Sequence, residues 1–158
     1  MKQRINVAEK GMAAMRPLPG LGVYLAKSPV GKPLLDLIFL RVSQINSCAF
    51  CVDMHFKDLR AAGEGEHRLY GLNAWRETPF YTDRERAALA WAEALTVLDG
   101  AVPDDIYEAA LAEFTEEELI DLTLGVITIN GFNRINLAFP NPSVVGTYKV
   151  GAFAHVDN

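Results

Sequence analysis

Apolar and polar positions along most of this chain recur with the 3.6-residue period of helices, and prolines and glycines cut that pattern into segments. Residues 6–15 predict a first helix, stopped by Pro17-Leu18-Pro19-Gly20, and a short helix over 21–27 ends at Ser28-Pro29 and Gly31. Pro33 suits the first turn of a helix over 33–45. Its run Leu34-Leu35-Asp36-Leu37-Ile38-Phe39-Leu40 is apolar around the whole circumference except at Asp36, which predicts burial on most faces. The next helix starts near Cys48 and carries His55, Leu59 and Ala62 before Gly63 ends it as a C′ residue. Residues 66–75 read as helix, followed by a loop at Thr78-Pro79. Thr82-Asp83-Arg84-Glu85 is a capping box that opens an amphipathic helix to Leu98, closed by Asp99-Gly100. Pro103 opens another helix to about Phe114, and Thr115-Glu116-Glu117-Glu118 is a second capping box before a long apolar helix over 116–136. Past Pro140-Asn141-Pro142 the period is lost, leaving a short strand or plain coil. The expected fold class is all-α, one domain over 1–158 with no repeat, low-complexity tract or linker.

Composition narrows the function classes. A chain of 158 residues that is 50% apolar and 22% charged can bury a core without disulfides or metals. Its net charge of −5 argues against binding a phosphate backbone, so no nucleic-acid partner is expected. Asp104 to Asp121 holds eight acids and no base, read as the solvated face of two helices. No apolar stretch approaches the roughly 18–20 residues of a membrane span, and Met1-Lys2-Gln3-Arg4-Ile5-Asn6 does not open an apolar signal core. The expectation is a soluble, cytoplasmic protein.

The chain has two cysteines, Cys48 and Cys51. A disulfide between them closes a very small ring and removes little unfolded-state entropy, so the pair calls for a chemical explanation. With Asn46 or Ser47 as the helix cap, Cys48 falls in the first turn, where unpaired N–H groups and the positive dipole end favour thiolate. Cys51 lies one turn on, close enough to pair with Cys48. His55 follows at i+4 on the same face, where an imidazole could take a thiol proton. Asp36 interrupts an apolar run, so its carboxylate is expected to be buried with a partner or a raised pKa. That partner is either His55, whose tautomer it would fix, or a neighbouring helix end. Gln44 and Asn46 read as capping or network residues, and His67 as solvated. Zinc would need further ligands, and His67 and His155 are the remaining histidines.

At these residues the chain resembles the alkylhydroperoxidase D-like (AhpD-like) branch of the carboxymuconolactone decarboxylase superfamily. The likeness begins at Leu34-Leu35-Asp36 and runs through Arg41-Val42-Ser43-Gln44-Ile45-Asn46-Ser47-Cys48-Ala49-Phe50-Cys51-Val52-Asp53-Met54-His55. It continues in Trp75-Arg76-Glu77-Thr78-Pro79, in Glu85-Arg86-Ala87-Ala88-Leu89-Ala90-Trp91 and in Asn130-Gly131-Phe132-Asn133-Arg134, covering about residues 30–140. The resemblance implies an all-helical homo-oligomer, commonly a trimer or hexamer, with thiol-dependent peroxidase activity. It implies Cys51 as the peroxidatic thiol, activated by His55 and the upstream acid at Asp36, and Cys48 as the resolving thiol. The helix dipole favours Cys48 as the more acidic thiol, whereas the i,i+4 placement of His55 favours Cys51. Asn133 and Arg134 match family positions without an assigned role.

Two residues depart from the family pattern. The acid is usually Glu, and Asp36 is one methylene shorter, so a direct relay would need a bridging water. Phe50 stands where well-known members carry His, which removes a proton carrier and makes the surroundings more apolar. The expected function is therefore a peroxidase or disulfide oxidoreductase acting on a hydroperoxide, organic ones favoured, and recycled by an external dithiol or thiol protein without cofactor or metal. The rival readings are a decarboxylase or isomerase using His55 and Asp36, a redox sensor without turnover, and a zinc-binding module.

Overall fold

The computed structural model describes residues 2–15 and 17–152, and among these the regular structure is helical. The elements are α1 (Val7–Lys10), α2 (Met12–Met15), α3 (Pro17–Leu25), α4 (Lys32–Ile45), α5 (Ala49–Ala61), α6 (Glu66–Tyr70), α7 (Asp83–Thr96), α8 (Asp104–Glu113) and α9 (Glu116–Ala138). Short 3-10 helices cover Leu72–Glu77 and Pro142–Val144.

The expected stop at Pro17-Leu18-Pro19-Gly20 is instead the start of α3. Both prolines fall in its first turn, where backbone N–H groups have no intrahelical acceptor and a fixed φ costs nothing. The expected helix over 6–15 is divided at Gly11 into α1 and α2, with Asn6 capping α1 through Ala8 N at 3.1 Å. The helix over 66–75 breaks at Gly71 and continues as 3-10, kinked at Ala74. The tail takes neither of its expected forms wholly: it makes a 3-10 turn at Pro142–Val144 and then a string of turns. Both capping boxes form as read, Thr82 with Glu85 and Thr115 with Glu118.

α4 sits at the centre, packed on α5, α7 and α9, while α3 lies on α9 and α8 on α7. Leu37, Ile38, Leu40 and Val42 are buried there against Leu72, Leu89, Leu122 and Val126. Each such side chain contributes about 1.5–3 kcal/mol by leaving water. Gly125 permits the close approach of α9, since a Cβ there would stand 3.0 Å from Leu35 Cδ2 and 3.5 Å from Phe39 Cε1. Trp91 is a core residue whose indole donates to Thr123 Oγ1 at 3.0 Å.

Two family blocks meet at one carboxylate. Glu93 of α7 accepts from Arg41 Nε at 2.7 Å, from Trp75 Nε1 at 2.9 Å and from Arg76. Burial works to raise its pKa, but these donors outweigh burial and hold it below the usual range. The acidic stretch 104–121 is not wholly a solvated face. Glu118 pairs with Arg84 at 2.7 Å, and Asp121 is buried, accepting from Tyr24 at 2.9 Å and Ser28 at 2.5 Å. These contacts fasten α9 to α7 and α3.

Candidate active site

The site lies at the junction of α4 and α5. Asn46 ends α4 and Ser47 turns the chain with φ +57°, in the left-handed region that costs a serine about 1 kcal/mol. Ser47 N donates to Gln44 O at 3.1 Å and Cys48 N to Ser43 O at 3.0 Å, which is the paired bonding of a Schellman motif. The chain therefore leaves α4 and enters α5 within two residues. Neither Asn46 nor Ser47 caps α5: Cys48 itself is the N-cap, and no side chain caps it. Cys48 stands one position earlier than the first turn, and Cys51 takes the third position inside.

The Asn46 side chain instead reaches α9. Its Nδ2 donates to Asn130 Oδ1 and to Asn133 Oδ1, each at 2.9 Å. Asn133 is fully buried and donates to Ser43 Oγ at 3.1 Å, while Asn130 donates to Thr96 Oγ1 at 3.2 Å. Arg134 in turn donates to Asn130 Oδ1 at 2.5 Å. Asn133 and Arg134 thus belong to the amide network that fixes the α4–α5 junction on α9 and α7. Gln44 accepts from Arg41 at 3.4 Å.

Cys48 and Cys51 are joined as a disulfide, with Cα atoms 5.4 Å apart, and both are buried. Asn136 Nδ2 donates to Cys51 Sγ at 3.4 Å. His55 is one turn further along the same row, 8% exposed, its ring 5.5 Å from that of Phe39. Its Nε2 is buried with no hydrogen-bond partner. Burial first, and the positive charge of Lys32 second, push the His55 pKa down to about 4, so the ring is neutral near pH 7.

Asp36 is buried as expected, but its carboxylate bonds neither to His55 Nε2 nor to a neighbouring helix end. Lys32, four residues earlier in α4, donates to it at 2.5 Å. The shorter aspartate is satisfied within its own helix. Burial raises the Asp36 pKa, the Lys32 hydrogen bond and charge oppose that, and the Asp58 charge adds to the rise. Asp58, one turn past His55 in α5, accepts from Tyr148 of the tail at 2.9 Å.

The structure therefore groups Cys48, Cys51 and His55 along α5, with Asp36 on the adjoining α4 and paired there with Lys32. His67 is exposed and stacks edge-on with Phe80 at 4.8 Å, away from this group, and His155 lies outside the described residues. Among the described residues no three His, Cys, Asp or Glu side chains converge as a metal site. Three participants escape sequence reading. Asn136 was visible as the third asparagine in the 130, 133, 136 spacing on an apolar helix, and Lys32 as the i−4 neighbour of Asp36. Tyr148 has no such signal, because it lies in an aperiodic tail.

Comparison with known proteins finds relatives that span most of this fold. Residues 11–94 match the model of the carboxymuconolactone decarboxylase family, described by that name. The chain is 39% identical over 142 residues to the uncharacterized protein YdfG of Bacillus subtilis (strain 168), covering 89% of this chain and 97% of that one. A crystal structure from Agrobacterium tumefaciens superposes with a TM-score of 0.83 at 40% identity, over 87% of this chain and 95% of that chain. That protein, ATU0492, is of unknown function and provisionally called the antioxidant defence protein AhpD. An uncharacterized peroxidase-related protein from Silicibacter sp. TM1040 shares the fold, with a TM-score of 0.73 at 22% identity, over 86% of this chain and 74% of that chain. By the extent of these matches, with an AhpD-like all-helical fold built around a Cys48–Cys51 pair, this chain belongs to the carboxymuconolactone decarboxylase family.

Proposed function

We propose that the protein is a dithiol peroxidase acting on hydroperoxides. The observation that carries this reading is a buried Cys48–Cys51 disulfide at the head of α5, with the partnerless Nε2 of a neutral His55 one turn along the same row. In the reduced protein, His55 accepts the Cys51 proton, and the thiolate charge beside it favours the imidazolium that results. Asn136 adds an amide donor toward the sulfur. The Cys51 thiolate attacks one peroxide oxygen, the O–O bond breaks, and the alkoxide leaves as alcohol with the proton from His55. The Cys48 thiol then displaces hydroxide from the Cys51 sulfenic acid, releasing water and forming the disulfide. An external dithiol, small or carried on a protein, restores both thiols by exchange and is itself oxidised. Asp36 tunes the His55 surroundings through Lys32, with no direct relay. Phe50 and the apolar α4 favour organic hydroperoxides over hydrogen peroxide, and equal rates with the two would remove that preference.

The antioxidant and peroxidase-related descriptions of the structural relatives support this reading, as does the likeness to their fold. A decarboxylase or isomerase has no use for two cysteines at this spacing. Cytoplasmic location and assembly into trimers or hexamers belong to the same proposal, and sedimentation of the native protein tests the assembly.

The test counts free thiols in the metal-free reduced chain before and after one equivalent of cumene hydroperoxide. Both thiols are expected to disappear rapidly, and His55→Ala should slow the loss by about 100-fold. Thiols that persist in the unsubstituted chain would end the peroxidase reading.

A further inference from the structure

The chemistry proposed above uses one row of α5 and leaves the adjoining row unexplained. Helical residues four apart form ridges, so Cys51, His55 and Leu59 make one row, and Phe50, Met54 and Asp58 make the next. The first row is buried. The second is covered by the tail. The Tyr148 ring meets Phe50 edge-on with centroids 6.5 Å apart, and its hydroxyl donates to the Asp58 carboxylate at 2.9 Å, with the second oxygen at 3.0 Å. Tyr148 thus touches both ends of that row, at the residue between the cysteines and at the residue one turn past His55.

A second attachment holds the same segment. Lys57 Nζ donates to the backbone carbonyls of Gly146 at 3.1 Å and Tyr148 at 3.3 Å, while pairing with Asp53 at 2.8 Å. Gly146, at φ +82°, makes the turn that brings Tyr148 down onto the helix. On either side of Tyr148 the segment is exposed, at Gly146, Thr147, Lys149 and Val150. That is the profile of a segment that opens at low cost beside a core that does not. Asn136, near the end of α9, approaches Cys51 separately, donating to its Sγ at 3.4 Å.

We propose that residues 146–151 form a strap over the flank of the dithiol, and that Tyr148, anchored by Asp58 and Lys57, determines the size of reagent that reaches Cys48 and Cys51. Small oxidants and thiols enter past the strap, and bulky ones must displace it. The inference rests on the dithiol reading for its biological meaning. Its test does not, because thiol accessibility is measured without any peroxide.

The experiment compares N-ethylmaleimide with the same maleimide coupled to dextran, reacting with the full reduced chain at fixed pH. Tyr148→Ala and Lys57→Met are compared with the unsubstituted protein, and Tyr148→Phe isolates the hydroxyl. Losing a hydrogen bond or two from the closed state should raise the bulky-reagent rate by about tenfold. The small-reagent rate should stay within about twofold, with the helical circular dichroism unchanged. Tyr148→Phe should show a smaller rise in the same direction. The strap is overturned if the ratio of bulky to small rates is the same in all four proteins. It is equally overturned if both rates rise together, which would mean that α5 itself had loosened. Failure of cumene hydroperoxide to oxidise the thiols would remove the peroxidase reading and leave this ratio as informative as before.

Discussion

Three helices in this protein begin in two different ways. α7 and α9 open with reciprocal capping boxes, in which Thr82 and Thr115 accept from the backbone of Glu85 and Glu118, whose carboxylates bond back. α5 opens at Cys48 with no side-chain cap at all. The first two starts satisfy their orphan N–H groups locally and fasten to neighbours, Glu85 through Arg68 and Glu118 through Arg84. The third forgoes a cap worth about 1 kcal/mol, and it follows a left-handed serine. Its placement comes from a distance, through Asn46, Asn130 and Asn133. The starts of α7 and α9 are thus fixed by their own first turns, whereas the start that carries the cysteine pair is positioned from outside.

The largest expected break in this comparison comes with acid. His55 has a native pKa of about 4 against an ordinary 6.5. Between those values the unfolded chain binds a proton that the native chain does not, so stability rises with pH across the window. It is fully present above about 6.5 and falls by about 3 kcal/mol as pH drops toward 4. His55→Phe should flatten that slope in urea melts at pH 4 to 7, and a slope unchanged by the substitution would mean that the ring is not neutral in the fold.

Next in size is the remote support. Asn133→Ala removes one of the two acceptors of Asn46 and the amide that donates to the buried Ser43 hydroxyl, and should cost about 2 kcal/mol. It should also slow thiol oxidation, whereas a stability loss with unaltered chemistry would separate the network from the site. Thr115→Ala should cost about 1 kcal/mol and leave thiol chemistry untouched. The smallest effect sharpens the contrast from the other side. Cys48→Ser supplies the missing cap and should be about 0.5 kcal/mol more stable than the reduced unsubstituted chain. A loss there would show that Cys48 packing outweighs capping.

What could be read in the sequence divides along the same line. Both capping boxes, the buried α4 and the Cys51–His55 row follow from local spacing, and local spacing is what a sequence prints. Pro17 and Pro19 misled because a proline stops a helix from inside but begins one from its first turn, and the residues alone do not say which side the helix lies on. The burial of Asp36 was legible, since it broke an apolar run. Its partner was not, since Lys32 and His55 compete for it and distance decides. Asn136 on Cys51 and Tyr148 on Asp58 are separated in the chain by 85 and 90 positions, and no local period connects them.

The contact between Asn136 and Cys51 has a consequence for how the sulfur behaves outside neutral conditions. A carboxamide neither gains nor loses a proton across the range in which proteins stay folded, so its dipole points at the sulfur unchanged in acid and in alkali. Imidazole offers no such constancy. A sulfur attended by one group that changes charge and one that never does keeps part of its electrostatic environment as a fixed property of the scaffold, independent of the medium around it.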